Sequence, residues 1–339
     1  MGSTGERRHI LPLTTTILAI MICLCAVVIT AAQETTPEPA GFSTIYAPYV
    51  EPGVIPLAVT AEQTGIRYFT LAFVLASEAC EPAWGGAARL QNTPFLASDI
   101  ESLRAVGGDV IISFGGAGGD ELALHCPDVE SLTAAYQAVI ETYNVTQLDF
   151  DIEGDEIRDA TTIAVRSQAI AALQASHDVR VSFTLPVLPT GLTDEGLALV
   201  QSAIDAGVEI EVVNIMTMNF GEPYSPDEMG ANTIAAAESL FAQLQELYPD
   251  KSEEAVWRMV GLTPMIGLND VHPETFTLED AKTVTAFARE RGIGRLAMWS
   301  FSRDKECVGQ QSIVSNRCSG TLQEPLAFSM IFNGVMENP

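Results

Sequence analysis

The amino-acid sequence predicts an α/β protein folded as a single (β/α)8 TIM barrel, on three observations. Eight short β-rich runs alternate with longer helical runs from residue 41 onward. No Pro/Gly/Ser linker is long enough to divide them. No Gly-x-Gly-x-x-Gly fingerprint follows the first run, which counts against an open, doubly wound sheet.

The strands are expected at Ser43–Tyr49, Tyr68–Leu75, Asp109–Phe114, Gln147–Ile152, Arg180–Leu185, Glu211–Met218, Arg258–Leu262 and Arg295–Phe301. Between them, Val129–Tyr143, Thr161–Ser176, Asp194–Ala206, Thr233–Leu247 and Leu278–Arg291 carry apolar residues at three- and four-residue spacing, the mark of an amphipathic helix. Shorter helical pieces near Pro56–Gln63 and Ser98–Val106, and a last one over Leu322–Val335, complete eight units.

The 339 residues are 47% hydrophobic and 18% charged, enough apolar material for a large core. Net charge is −27, from 44 acidic against 17 basic side chains. Such a surface repels nucleic acid and anionic lipid and leaves a neutral or weakly cationic substrate open.

Residues 1–32 read as a secretory leader. Arg7 and Arg8 precede an apolar stretch over Ile17–Ile29, and Thr30-Ala31-Ala32 supplies small residues for cleavage. The alternative is an uncleaved anchor through residues 10–30, since the apolar stretch extends towards the roughly 20 residues of a span. Residues 33–40 form a short Pro-containing tether, and 41–339 the barrel. Removing the leader leaves 43 acidic and 15 basic side chains, so the acidity belongs to the folded part.

Four cysteines follow the leader, an even number that suits an oxidising compartment: Cys80, Cys126, Cys307 and Cys318. Three pairings are possible. The short loop between Cys307 and Cys318 favours that pair, which leaves Cys80 with Cys126. No Cys-x-x-Cys pair supports a zinc site instead.

The fourth strand carries the densest chemistry. In Leu148-Asp-Phe-Asp-Ile-Glu153 the alternation of a strand sends Asp149, Asp151 and Glu153 one way and the apolar residues the other. In a barrel the carboxylates then face the axis near the C-terminal end, where barrel active sites form. Like charges about 6–7 Å apart, two rises along a strand, cannot all ionise cheaply. At least one carboxyl therefore keeps its proton towards neutrality and can act as a general acid.

The run Asp149-Phe-Asp-Ile-Glu153 resembles the Asp-x-x-Asp-x-Asp-x-Glu signature of family 18 glycoside hydrolases, the chitinase family. Ser113-Phe-Gly-Gly116 is similar to that family's Ser-x-Gly-Gly motif. Asn214-Ile-Met-Thr-Met-Asn219 resembles its Met-x-Tyr-Asp region, and Met298-Trp-Ser300 the strand whose Trp floors the sugar site. The resemblance runs from about Phe42 to Cys318.

It implies a secreted hydrolase acting on β-1,4-linked N-acetylglucosamine by a substrate-assisted retaining mechanism, in which the acetamide oxygen is the nucleophile. Glu153 would be the general acid/base, Asp151 would orient the acetamide, and Asp149 would tune Asp151. Trp299, Met216, Met218, Asn219, Ser113, Gly115 and Trp84 would form the sugar site. Chitin or a related polysaccharide would be the partner of a monomer that uses no cofactor and no metal. An endo-N-acetylglucosaminidase acting on glycans, or a non-catalytic sugar-binding barrel, are the alternatives; the retained Glu153 counts against the latter.

Two positions depart from the family pattern. Thr146 stands where the signature has its first Asp, and Met218 and Asn219 stand where the family has Tyr and Asp. A hydroxyl that would grip the acetamide oxygen is therefore missing. Among the remaining polar residues, Asn269 and Asp270 are expected either at the sugar or as turn caps, and Arg303 and Asp304 as an ion pair. Trp257 is expected to be structural. Asn144-Val-Thr146 is a glycosylation sequon on the face away from the site.

Overall fold

In the computed structural model, which describes Gly2, residues 44–309 and residues 314–336, eight parallel strands close on themselves. The first strand is in two pieces. Ile45–Tyr46 pairs with the eighth strand at Arg295–Leu296, and Tyr49–Val50 pairs with the second at Thr70–Leu71. Pro48, which has no N–H to donate, separates them. The other strands follow in chain order: Tyr68–Ala76, Asp109–Gly115, Gln147–Asp151, Arg180–Pro186, Ile210–Met216, Val260–Thr263 and Arg295–Leu296. This is the (β/α)8 barrel the alternation predicts. The expected leader (all but Gly2) and tether, and Ser43, lie outside the described residues.

Helices Val129–Tyr143 and Leu278–Arg291 match the periodicity to the residue. Both start on a reciprocal capping box, from Asp128 with Ser131 and from Thr277 with Asp280. Both end on a left-handed residue, Asn144 or Gly292. Strand ends differ more. The seventh starts at Val260 because a short helix, Glu253–Trp257, occupies the preceding residues. The sixth stops at Met216, two residues before its expected end, and the regular pairing of the eighth stops at Leu296.

The core has two chemistries. Outside the strands, Phe150 stacks on Phe114 at 5.3 Å and meets a tilted Phe183 at 5.8 Å, with Tyr136 edge-on, in the layer between barrel and helices. Trp257 belongs to this layer, stacked on Phe241 at 4.2 Å. Along the axis the filling is polar: Asp149, Ser182, Thr184, Asn214, Thr263 and Arg295 are all nearly inaccessible. Among the described residues no helix is long and apolar enough to cross a membrane.

Both disulfides form in the favoured pairing, Cys80–Cys126 and Cys307–Cys318, which removes the zinc alternative. The first ties the loop after the second strand to the loop after the third. That loop holds a hairpin, Pro82–Trp84 with Ala88–Arg89, which the sequence reading missed although Gly85-Gly86 is a turn signal. Arg303 and Asp304 do not form the expected ion pair. Arg303 donates to the carbonyls of Ile266, Leu268 and Ser315, and Asp304 accepts from the N–H groups of Phe328 and Ser329, so each pins a different segment.

Loop-closure entropy sets the expected cost of losing each bridge: about 4 kcal/mol for the 46-residue separation of Cys80 and Cys126, and about 3 kcal/mol for the 11-residue separation of Cys307 and Cys318. Paired Cys→Ser variants in denaturant titrations should reproduce that order. A larger loss at Cys307–Cys318 would contradict it.

Candidate active site

Strand register assembles the site. Ser113, Asp149 and Ser182 are level on neighbouring strands, and one layer higher so are Gly115, Asp151, Thr184 and Asn214. The period of two then turns all of these towards the axis.

Asp149 is fully buried and saturated with donors. Tyr49 Oη and Ser113 Oγ donate to its Oδ2 at 2.9 and 2.8 Å. Ser182 Oγ donates to Oδ1 at 2.5 Å, and Thr184 Oγ1 lies 2.9 and 3.0 Å from the two oxygens. Arg295 Nη1 sits 3.5 Å from Oδ1 and 2.7 Å from Ser182 Oγ. Burial raises the Tyr49 phenol well above its ordinary value, with the neighbouring Asp149 and Asp151 charges adding to the effect, so Tyr49 stays protonated.

Asp151 is the opposite case. Its Oδ1 is buried without a hydrogen-bond partner among the described residues. Burial pushes this carboxyl well above the usual range, and repulsion from Glu153 and Asp149 pushes further. Glu153, two residues beyond the strand's last residue, is also raised by burial, while a hydrogen bond with Asp151 pulls it back. The pair therefore holds one proton between two carboxyls well above the normal carboxylate range.

These two groups open onto a cleft of about 930 Å³ at the C-terminal end of the strands. Trp299 lines it, stacked on Phe73 at 5.8 Å and 17°, with Tyr49 against both rings. Met216, Met218 and Asp270 form part of the wall. Asn219 lines it too, in a left-handed conformation (φ 54°), but its carboxamide is engaged: Nδ2 donates to Asp270 and Oδ1 accepts from the Val271 N–H. Asn269 is a cap, donating to the Met265 and Gly267 carbonyls.

Ser113 and Gly115 lie beneath the cleft instead of on its wall. A Cβ on Gly115 would fall 2.1 Å from the Asp151 carbonyl oxygen, and one on Gly116 2.7 Å from the Phe73 ring. Both glycines have φ near 90°, so the Gly-Gly pair permits close approach behind Asp151 and Phe73. Trp84 lines the cleft but is only 6% exposed, with its N–H committed to Tyr143 Oη at 2.8 Å.

Sequence reasoning missed three contributors. Phe95 is an aromatic on the cleft wall, 54% exposed, in a stretch that carries no motif. Arg295 reads as an ordinary strand-end cation, and only barrel closure brings it to Asp149. Behind the loop after strand four, Glu121 and Arg166 form a buried ion pair at 2.8 Å, with Tyr136 Oη donating to Glu121. Glu156 lies close enough to feel that pair. Burial raises its carboxyl to about 7, Glu121 adds to the rise and Arg166 opposes it.

Asp151, Glu153 and Glu156 all hold protons more tightly in the folded chain than in the unfolded one. The stability this gives is complete below the unfolded carboxylate range and is lost as pH rises through the folded values, up to about 7 for Glu156. Urea titrations between pH 4 and pH 8 should show unfolding free energy falling with pH. Glu156→Gln should flatten the upper part of that fall, and an unchanged slope near pH 7 would refute the assignment.

No protein-family model matches the chain. Among curated proteins it is 40% identical over 286 residues to a "probable bifunctional chitinase/lysozyme" of Escherichia coli, and 38% identical over 287 residues to "endochitinase 11" of Metarhizium anisopliae. Each match covers 79% of this chain, but only 32% and 54% of those relatives, so the chain spans about a third and about half of their lengths. Among solved structures it resembles the catalytic domain of a hyperthermophilic chitinase from Pyrococcus furiosus, with 39% identity and a TM-score of 0.79, covering 87% of this chain and 95% of that one. A GH18 chitinase from Pseudoalteromonas aurantia, at 19% identity and a TM-score of 0.57, shares the fold. With 39% identity over 95% of a chitinase catalytic domain, the chain belongs to family 18 of the glycoside hydrolases, the chitinase family.

Proposed function

We propose that this chain is an extracellular chitinase that cleaves β-1,4-linked N-acetylglucosamine chains with retention of configuration. The observation that carries the proposal is the pairing of a buried Asp151, one oxygen unpartnered, with Glu153 on a cleft that Trp299 also lines. The two disulfides suit an oxidising, extracellular setting.

Sugar rings present apolar C–H faces, and the Trp299 indole, held against Phe73 and Tyr49, offers a flat apolar surface for one of them. Glu153 is the more exposed of the two carboxyls and can reach a glycosidic oxygen from the cleft. On substrate binding the shared proton passes from Asp151 to Glu153, which donates it to the leaving oxygen as the substrate's acetamide oxygen attacks the anomeric carbon. Asp151 accepts a hydrogen bond from the acetamide N–H and opposes the positive charge that develops on the cyclised acetamide. Glu153, now ionised, takes a proton from water, which opens the ring with net retention.

Asp149 does not touch the substrate. Its negative charge, fixed by four hydroxyls and Arg295, biases the proton towards Asp151 before substrate arrives. The missing family Tyr leaves the acetamide oxygen without that hydroxyl, and Asn219 is occupied by its own loop.

Glu153→Gln should lower kcat on chitin oligosaccharides by about 10³-fold or more while binding persists, the expected scale for loss of a general acid. Asp151→Asn should also cripple turnover, because an amide cannot take the charge that opposes the cyclised acetamide. Product anomers followed by NMR should be β at first. Near-normal turnover in Asp151→Asn, or α product, would sink the substrate-assisted mechanism.

A further inference from the structure

Three thioethers line the catalytic cleft: Met216, Met218 and Met265. Two of them are sealed in its wall, Met216 at 9% and Met265 at 2% exposure. Met218 is partly exposed, just beyond the end of the sixth strand. The segment that carries it is held down on both sides. The Met218 N–H donates to the Met216 carbonyl at 2.9 Å, and Asn219 is clasped by Asn269, Asp270 and Val271. Next in the chain, the Phe220 and Gly221 N–H groups donate to the buried Glu274 carboxylate at 3.0 and 2.6 Å. An atom added to the Met218 side chain therefore has to be taken up in the cleft, because the backbone beneath it is pinned.

The surroundings favour one kind of oxidant. Free thiols would compete for it, but all four cysteines among the described residues are paired in disulfides. The cleft is lined by Glu51, Asp151, Glu153 and Asp270, whose negative field repels anionic oxidants and leaves neutral hydrogen peroxide free to enter.

We infer that Met218 is a modification site at which hydrogen peroxide weakens the hold of the cleft on its substrate. One peroxide oxygen adds to the Met218 sulfur as the O–O bond breaks. Sulfur loses two electrons and becomes a sulfoxide, and the peroxide, reduced by the same two electrons, leaves as water. The new oxygen is a strong acceptor on a wall that had offered a soft apolar surface, and a sugar that covers it strips it of water. The loss of activity rests on the proposed chitinase reading; the modification does not.

The test treats the full chain with hydrogen peroxide and follows sulfoxide at each methionine by peptide mass spectrometry alongside kcat/KM on chitin oligosaccharides. Met330, 55% exposed and outside the cleft lining, is the internal reference. The expected result is that Met218 and Met330 oxidise while Met216 and Met265 stay intact, and that kcat/KM falls about tenfold, about 1.4 kcal/mol, in step with sulfoxide at Met218. Met218→Leu, close in volume, should keep its own untreated kcat/KM through the same exposure, and Met330→Leu should lose activity as the unaltered chain does. Met218 still reduced once Met330 is fully oxidised, or an equal loss in Met218→Leu, overturns the inference. Absence of product from the untreated chain overturns the chitinase reading instead, and the mass spectra then still decide whether Met218 is the modified site.

Discussion

The constraint on which the structure turns is one carboxylate with no access to water. Asp149 stands in the middle of the barrel, where burying a charge alone costs several kcal/mol. The chain meets that cost with five donors from four strands: Tyr49, Ser113, Ser182, Thr184 and Arg295. Those partners dictate much of the axial filling. A barrel interior of this kind is ordinarily branched and apolar; here hydroxyls and an amide take those positions because the charge requires them.

The same saturation shapes the neighbouring carboxyls. With the donors gathered around Asp149, Asp151 is left with an unpartnered oxygen, a negative neighbour below and Glu153 beside it. Burial above all retains its proton, and repulsion from Glu153 and Asp149 adds to the effect. Gly115 and Gly116 complete the arrangement by giving up side-chain volume, so that the Asp151 backbone and the Phe73 ring can come close. An apolar shell of Phe114, Phe150 and Phe183 supports the strand from behind. Polar axis and apolar shell are thus alternate residues of one short sequence.

That alternation explains what was legible in the sequence. The inward set Asp149, Asp151 and Glu153, the eight units and both disulfides follow from period, count and spacing, which are local properties of the chain. Residues whose role depends on distant partners were not legible. Arg295 resembles any strand-end cation until the barrel closes. Ser113 carries the motif but serves Asp149 from beneath the cleft, and Trp84 spends its N–H on Tyr143, a partner 59 residues away. Phe95 has no periodic signal because its position is set by loops. The Arg303 and Asp304 charges, adjacent in sequence, point to different segments, which adjacency alone cannot reveal.

Arg295 also bears on the order of assembly. It lies 146 residues after Asp149, and it arrives only with the eighth strand. During synthesis the first seven strands emerge with an acidic centre that has no counter-ion. Closure supplies the cation and seals the ring in one event, since the eighth strand also pairs with the first. Long-range pairings of this kind slow folding. Pairing of the eighth strand thus closes the ring and brings the cation to Asp149 together.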